Sequence, residues 1–146
     1  MQIDIKIDSS AVRPRVIIVT DRMTDEVQEI IRKISEQDAR ILVGFREGKA
    51  TPLEPATISR IYSENGKVFA LQEATTYQIR ARLYELEERL KANRFVRISH
   101  SELINLNMVK SFDLRLTGTI CVSLKDRTVT YVSRRYVSKI KEVLGI

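Results

Sequence analysis

The sequence predicts an α+β chain that is mostly β, and three observations carry that reading. Apolar and polar residues alternate with period two in several short runs. Asn65-Gly66 sits between two such runs, a two-residue hairpin signal because both central positions need positive φ. Helical spacing appears in only three short stretches.

Ile3, Ile5 and Ile7 alternate with Asp4, Lys6 and Asp8, the pattern of a half-buried strand. Arg15 to Thr20 is a second strand, rich in β-branched residues. Thr24 is placed to cap a helix over Asp25–Gln37, with acids in its first turn and Val27, Ile30, Ile31 and Ile34 on one face. Arg40 to Arg46 is a third strand, closed by Glu47-Gly48. Residues 1–49 thus read as a small β-β-α-β segment with balanced charges, suited to packing or dimer contact. Pro52 and Pro55 mark a junction, and residues 51–146 form the second unit. There, residues 57–63, 67–71 and 75–79 make a three-stranded meander, and Leu83, Leu86 and Leu90 line a core-facing helix over residues 80–91. Residues 94–107 mix strand-forming and polar residues without glycine or proline and should be ordered; strands follow over residues 108–116, 119–124 and 128–132, then a last helix capped by Ser133.

Composition narrows the function. The 146 residues carry 25 Lys+Arg against 19 Asp+Glu, a formal charge of +6. From Arg94 onward there are ten cations and four acids, leaving fifteen of each before it, so the whole excess lies in the last third. A basic surface confined to one segment suggests a polyanionic partner, nucleic acid first. No run is long and apolar enough to span a membrane, and the N-terminus lacks the apolar core of a signal peptide, so a cytoplasmic location is expected. One cysteine, Cys121, and one histidine exclude an internal disulfide and a Cys/His metal site. No paired carboxylates, no Ser/His/Asp or Cys/His arrangement and no glycine-rich phosphate loop stand out, so neither an enzyme nor a cofactor is expected.

Arg134-Arg135 directly follows the Ser133 cap, where cations oppose the helix dipole at a cost of up to ~1 kcal/mol. Folding gives no reason for them, whereas an anion would: arginine grips phosphate or guanine bidentately. A surface carboxylate would also account for one of them. His100 lies between two serines in a basic, polar stretch and suits a DNA contact better than catalysis. Arg97 is grouped with these residues, in reach of Arg134 or Arg135 if the fold brings them together. Asn65 and Lys67 flank the hairpin turn, and turn chemistry alone explains them.

The stretch Phe95-Val96-Arg97-Ile98-Ser99-His100-Ser101, followed by Ile104-Asn105-Leu106 and Val109-Lys110, resembles the central motif of LytTR-type DNA-binding domains. Val132-Ser133-Arg134-Arg135-Tyr136 resembles that family's closing segment, and residues 58–63 with Leu83 to Glu87 match its upstream patterns. The resemblance spans residues 51–146. It implies an elongated array of short antiparallel sheets with small helices, reading promoter repeats through loops in successive major grooves, commonly as a homodimer. It places DNA contacts on His100 and Arg135 first, then on Arg134, Asn65 and Lys67. Ser99-His100 stands where the family pattern has His-Arg, and Asp126-Arg127 stands where members often have Asn-Gly. Fifty leading residues are too few for a phosphorylated receiver domain, so the resemblance is to stand-alone regulators, often encoded beside a small membrane protein that restrains them. The alternative to a promoter-binding regulator is a protein-interaction module whose basic face binds an acidic protein.

Overall fold

From Leu42 onward, period-two runs alternate with tight turns, and the chain answers with strands. The computed structural model describes residues 1–37 and 42–146 and shows ten strands among them. Seven form one antiparallel sheet: β1 (Leu42–Arg46), β2 (Lys49–Leu53), β3 (Ile58–Glu64), β4 (Lys67–Gln72), β5 (Thr75–Ile79), β6 (Phe95–Ser99) and β7 (Glu102–Asn105), in the order β2-β1-β5-β4-β3-β7-β6. Three more, β8 (Val109–Asp113), β9 (Ile120–Leu124) and β10 (Val129–Val132), form a second sheet in the order β10-β9-β8. The helices are α1 (Asp25–Gln37), α2 (Leu83–Arg89) and α3 (Val137–Leu144).

Side-chain alternation divides the apolar residues into two cores. Ile58, Ile61 and Leu103 of the large sheet pack with Leu83, Leu86 and Leu90 on and beside α2. Ile98 and Ile104 join Ile120, Val122, Leu124, Val132 and Ile140 of the small sheet and α3. β7 contributes to both, and all four of its residues are buried. Two are polar, and a buried polar group must find partners inside the protein. The Asn105 amide donates to the carbonyls of Ile58 (3.0 Å) and Pro55 (3.4 Å), and its oxygen accepts from the Asn107 N–H (3.0 Å). Glu102 accepts from the Arg60 guanidinium at 2.8 Å. Burial pushes the Glu102 carboxyl pKa up, and the Arg60 charge opposes that rise. Arg60 also stacks over the Tyr62 ring at 4.3 Å.

Most expected elements form. Thr24 caps α1 as expected, its hydroxyl accepting from the Val27 N–H (3.3 Å) and its carbonyl from the Gln28 N–H (3.0 Å). Asn65 (φ 52°) and Gly66 (φ 75°) make the hairpin turn between β3 and β4. The N-terminal half departs from the reading. Residues 3–7 and 15–20 pair with no strand, because alternation reports a face to be covered and does not supply the cover. The third expected strand begins at Leu42, and Arg40 and Ile41 lie outside the described residues. Glu47-Gly48 does not end a separate unit. It turns β1 into β2, and β1 also pairs with β5. Residues 42–53 therefore belong to the large sheet, and a boundary at residue 50 falls within a hairpin. Pro52 lies in β2, an edge strand, where a missing N–H is tolerated. The helix expected over residues 80–91 is shorter, with Lys91–Asn93 in a 3-10 turn, and the strand expected from Met108 starts one residue later, after a 3-10 turn.

Candidate nucleic-acid interface

Strand order alone gathers the polar turns at one end of the large sheet. β3 runs antiparallel to β7 with Tyr62 opposite Glu102, so the turn after β3 lies beside the turn before β7. β4 pairs with β5 so that Val68 faces Ile79, which brings Lys67 next to the Arg80–Arg82 connection. Three segments distant in sequence thereby line one open groove of about 740 Å³: Ser63 to Val68, Gln78 to Glu85, and Arg97 with His100.

His100 and Ser101 form the two-residue turn between β6 and β7, and the imidazole is exposed. The turn is held from three sides. The Ser63 N–H donates to the Ser101 carbonyl at 2.8 Å, fastening it to the end of β3. The Ser99 hydroxyl accepts from the Ser101 N–H at 3.2 Å. Arg97 donates to the carbonyls of Ser99 (2.7 Å) and His100 (2.5 Å). Its remaining nitrogen pairs with Glu87 of α2 at 2.7 Å, and the side chain is only 11% exposed. Arg97, expected among the DNA-contacting residues, thus directs its guanidinium inward. Its charge is matched and its fork shapes the turn that presents His100.

The two arginines of the closing segment reach the same region through β6. The register between β6 and β7 shifts between Arg97 and Ser99, a local bulge. β6 is the sheet edge there, and its Ile98 carbonyl accepts from the Ser133 N–H at 2.8 Å. Arg134–Tyr136, a 3-10 turn, follows at once and leads into α3. Ser133 makes no side-chain cap. Its carbonyl accepts from the Tyr136 N–H at 2.9 Å, so the expected hydroxyl cap on an α-helix is replaced by a backbone turn. The dipole opposing Arg134 and Arg135 is correspondingly that of a tight turn and not of a full helix. Both side chains are exposed. Arg134 lies over the Gly118 turn, where an added Cβ would meet its Nε at 3.3 Å, and no described residue pairs with Arg135.

Asn65 and Lys67 are exposed at the hairpin, with Lys67 on the groove wall. Sequence reading passed over Arg80, Arg82 and Tyr84, which line the opposite wall. Arg80 stacks on the Phe45 ring at 3.9 Å, Tyr84 is 63% exposed, and the Arg82 N–H donates to Glu85 at 3.2 Å. Two arginines at a strand-to-helix junction were the available signal, masked by the leucine periodicity beside them. On the small sheet, Arg127 adopts a left-handed conformation (φ 73°) and is exposed. The arrangement presents a donor-rich, cationic end with a few carboxylates, of which Glu85 and Glu87 are already engaged. It can hold a polyanion and offers hydrogen-bond donors to base edges.

The chain compares closely with known proteins. Residues 48–145 match the model of the LytTr DNA-binding domain family. Uncharacterized HTH-type transcriptional regulators of Staphylococcus aureus, strains NCTC 8325 / PS 47 and COL, are each 32% identical over 147 residues, an overlap of 100% of this chain and 99% of the relative. A LytTr DNA-binding domain from Bacillus cereus has the same fold, with a TM-score of 0.70, 20% identity, and coverage of 73% of this chain and 98% of that one.

Proposed function

Because the chain belongs to the LytTR DNA-binding domain family, we propose that it regulates transcription by binding promoter DNA as a homodimer. In this reading the His100 turn and the Arg134–Arg135 turn enter successive major grooves at repeated sites. Arg135 grips guanine or phosphate and His100 donates to a base edge. Lys67, Asn65, Arg134 and the wall arginines Arg80 and Arg82 hold the backbone. The work is done by binding, without a catalytic step.

One observation carries the reading. Two exposed, donor-rich turns from distant parts of the sequence are locked together by the Ser133 N–H to Ile98 carbonyl bond. Such a rigid spacing of donors suits a repeating polymer better than a flexible basic tail would. Strands separate each α-helix from the next, so no two form a helix-turn-helix among the described residues, which supports a reading through loops. A small membrane protein that withholds the regulator from DNA completes the proposal, on the strength of the family resemblance. Its test is retention of the protein in the membrane fraction only when the two are co-expressed.

Fluorescence anisotropy on the chain's own upstream promoter fragment and on a scrambled fragment, across a salt series, tests the central point. Tighter promoter binding that persists at ~150 mM salt is expected. Arg135→Ala should cost about 1–3 kcal/mol on the promoter and much less on the scrambled fragment. Equal curves that collapse together would replace the reading with a non-specific basic surface.

A further inference from the structure

Residues 2–8 have no regular secondary structure and pair with no strand among the described residues, although they alternate like a half-buried strand. Ile3, Ile5 and Ile7 are 77%, 86% and 94% exposed. An apolar row of this kind calls for a cover, and the residues between the isoleucines specify one. With two copies antiparallel and Ile5 opposite Ile5, Asp4 faces Lys6 of the partner subunit and Ile3 faces Ile7 of the partner subunit. Asp4 and Lys6 each meet an opposite charge, Asp8 faces the neutral Gln2 of the partner subunit, and six isoleucines share one face. Sliding by two residues in either direction puts Lys6 against Lys6 or Asp4 against Asp4, and parallel in-register pairing does both. A slide of one residue turns the isoleucines to opposite faces. Like charges directly across a ladder destabilise it, and slides of four residues leave only three of residues 2–8 paired on each strand, so the register centred on Ile5 is favoured.

We propose that residues 2–8 form a two-fold symmetric antiparallel strand pair between two copies of this chain, in the register centred on Ile5. Two strands alone are marginal. The Asp8–Ala11 turn, closed by the Ala11 N–H on the Asp8 carbonyl at 3.0 Å, starts the chain back toward Arg15–Thr20. In that segment Val16, Ile17 and Val19 are 68%, 68% and 93% exposed, and they supply an outer strand on each side. The apolar stripe of α1, with Ile31 and Ile34 at 41% and 40% exposure, covers the isoleucine face. The interface is isologous, as a cyclic dimer requires. This inference rests on the homodimer in the reading above and not on DNA binding.

The test uses the full chain without DNA, in a Cys121→Ser background. Under mild oxidation, Ile5→Cys should cross-link dimers at least tenfold faster than Asp4→Cys, because only position 5 faces itself. By sedimentation, Asp4→Lys and Lys6→Asp should each raise the dimer dissociation constant about tenfold, and the double exchange should restore it to within about threefold of the parent. A monomer throughout the micromolar range, equal cross-linking at positions 4 and 5, or a double exchange as weak as the single ones would each overturn the proposal. Promoter binding measured on the same variants separates this failure from a failure of DNA recognition.

Discussion

Arg97 illustrates what one side chain can be asked to do. It spends all three nitrogens on two carbonyls of the His100 turn and on Glu87. Arg97→Ala should destabilise the fold by about 2–3 kcal/mol, since charged hydrogen bonds are lost at a largely buried position, and thermal or urea unfolding checks this. It should also weaken promoter binding, but only while His100 is present. In a double-mutant cycle the further loss on top of His100→Ala should be small, whereas a direct phosphate contact by Arg97 would give additive losses. The inward turn of Arg97 was not legible in the sequence, because its anchor lies ten residues upstream on α2 and only packing unites them. Exposure of His100, Arg134 and Arg135 was legible, since no apolar period claims those positions. Arg127 poses a second residue-scale question. A non-glycine side chain at φ 73° is strained by about 1 kcal/mol. Arg127→Asn should raise stability by up to that amount while reducing DNA affinity, if the strain is maintained to present the cation. A third concerns Asp113, whose carboxyl is held down to about 2 by hydrogen bonds from the Arg115 side chain and backbone. NMR titration should find its midpoint near that value, and Arg115→Ala should move it back toward 3.8.

Among the elements, β7 carries the most conflicting demands. It lies between two apolar cores and still holds a carboxylate. Arg60→Ala would leave Glu102 buried without its counter-charge, at a cost of about 3 kcal/mol at neutral pH. The pH dependence has a definite sign. The Glu102 pKa is raised in the folded state, so the folded chain binds that proton more tightly than the unfolded chain, and this residue's contribution to stability falls as pH rises above 4.5. Removing Arg60 raises the folded pKa further, so the deficit of Arg60→Ala should shrink as pH is lowered toward 4.5, which urea melts at stepped pH would show. β1 offers a second test. A Cβ added to Gly44 would lie 2.7 Å from both Leu53 Cδ1 and Tyr77 Cβ. Gly44→Ala should therefore cost about 1–3 kcal/mol by overpacking and should lower the melting temperature of the whole sheet. The strands from Ile58 to Ile79 and the hairpin turn were readable because period and turn chemistry agree. β2 was not, because two prolines within four residues look like a linker, and an edge strand can accept one of them. The N-terminal strands do not form among the described residues for the opposite reason: their period is clear, but no described strand pairs with them.

For the molecule as a whole, charge and topology converge. The net charge was visible as a property of the last third, yet Lys67, Arg80 and Arg82 come from the charge-balanced part and join that end only through strand order. A slope of log affinity against log salt of about −3 to −4 per bound protomer is expected if three or four of these cations reach phosphates. Arg82→Ala should flatten it by about one without changing the preferred sequence, and an unchanged slope would remove Arg82 from the interface.

Pro52 on β2 has a consequence for crowding inside a cell. The seven-stranded sheet has two open sides. At β6, a backbone bond from Ser133 already occupies the Ile98 carbonyl, and at β2 the proline has no N–H to offer a newcomer. Each side is thus blunted at one backbone position, which disfavours continuous pairing with another sheet. Pro52→Thr would restore the missing donor and turn a blunt margin into a seed.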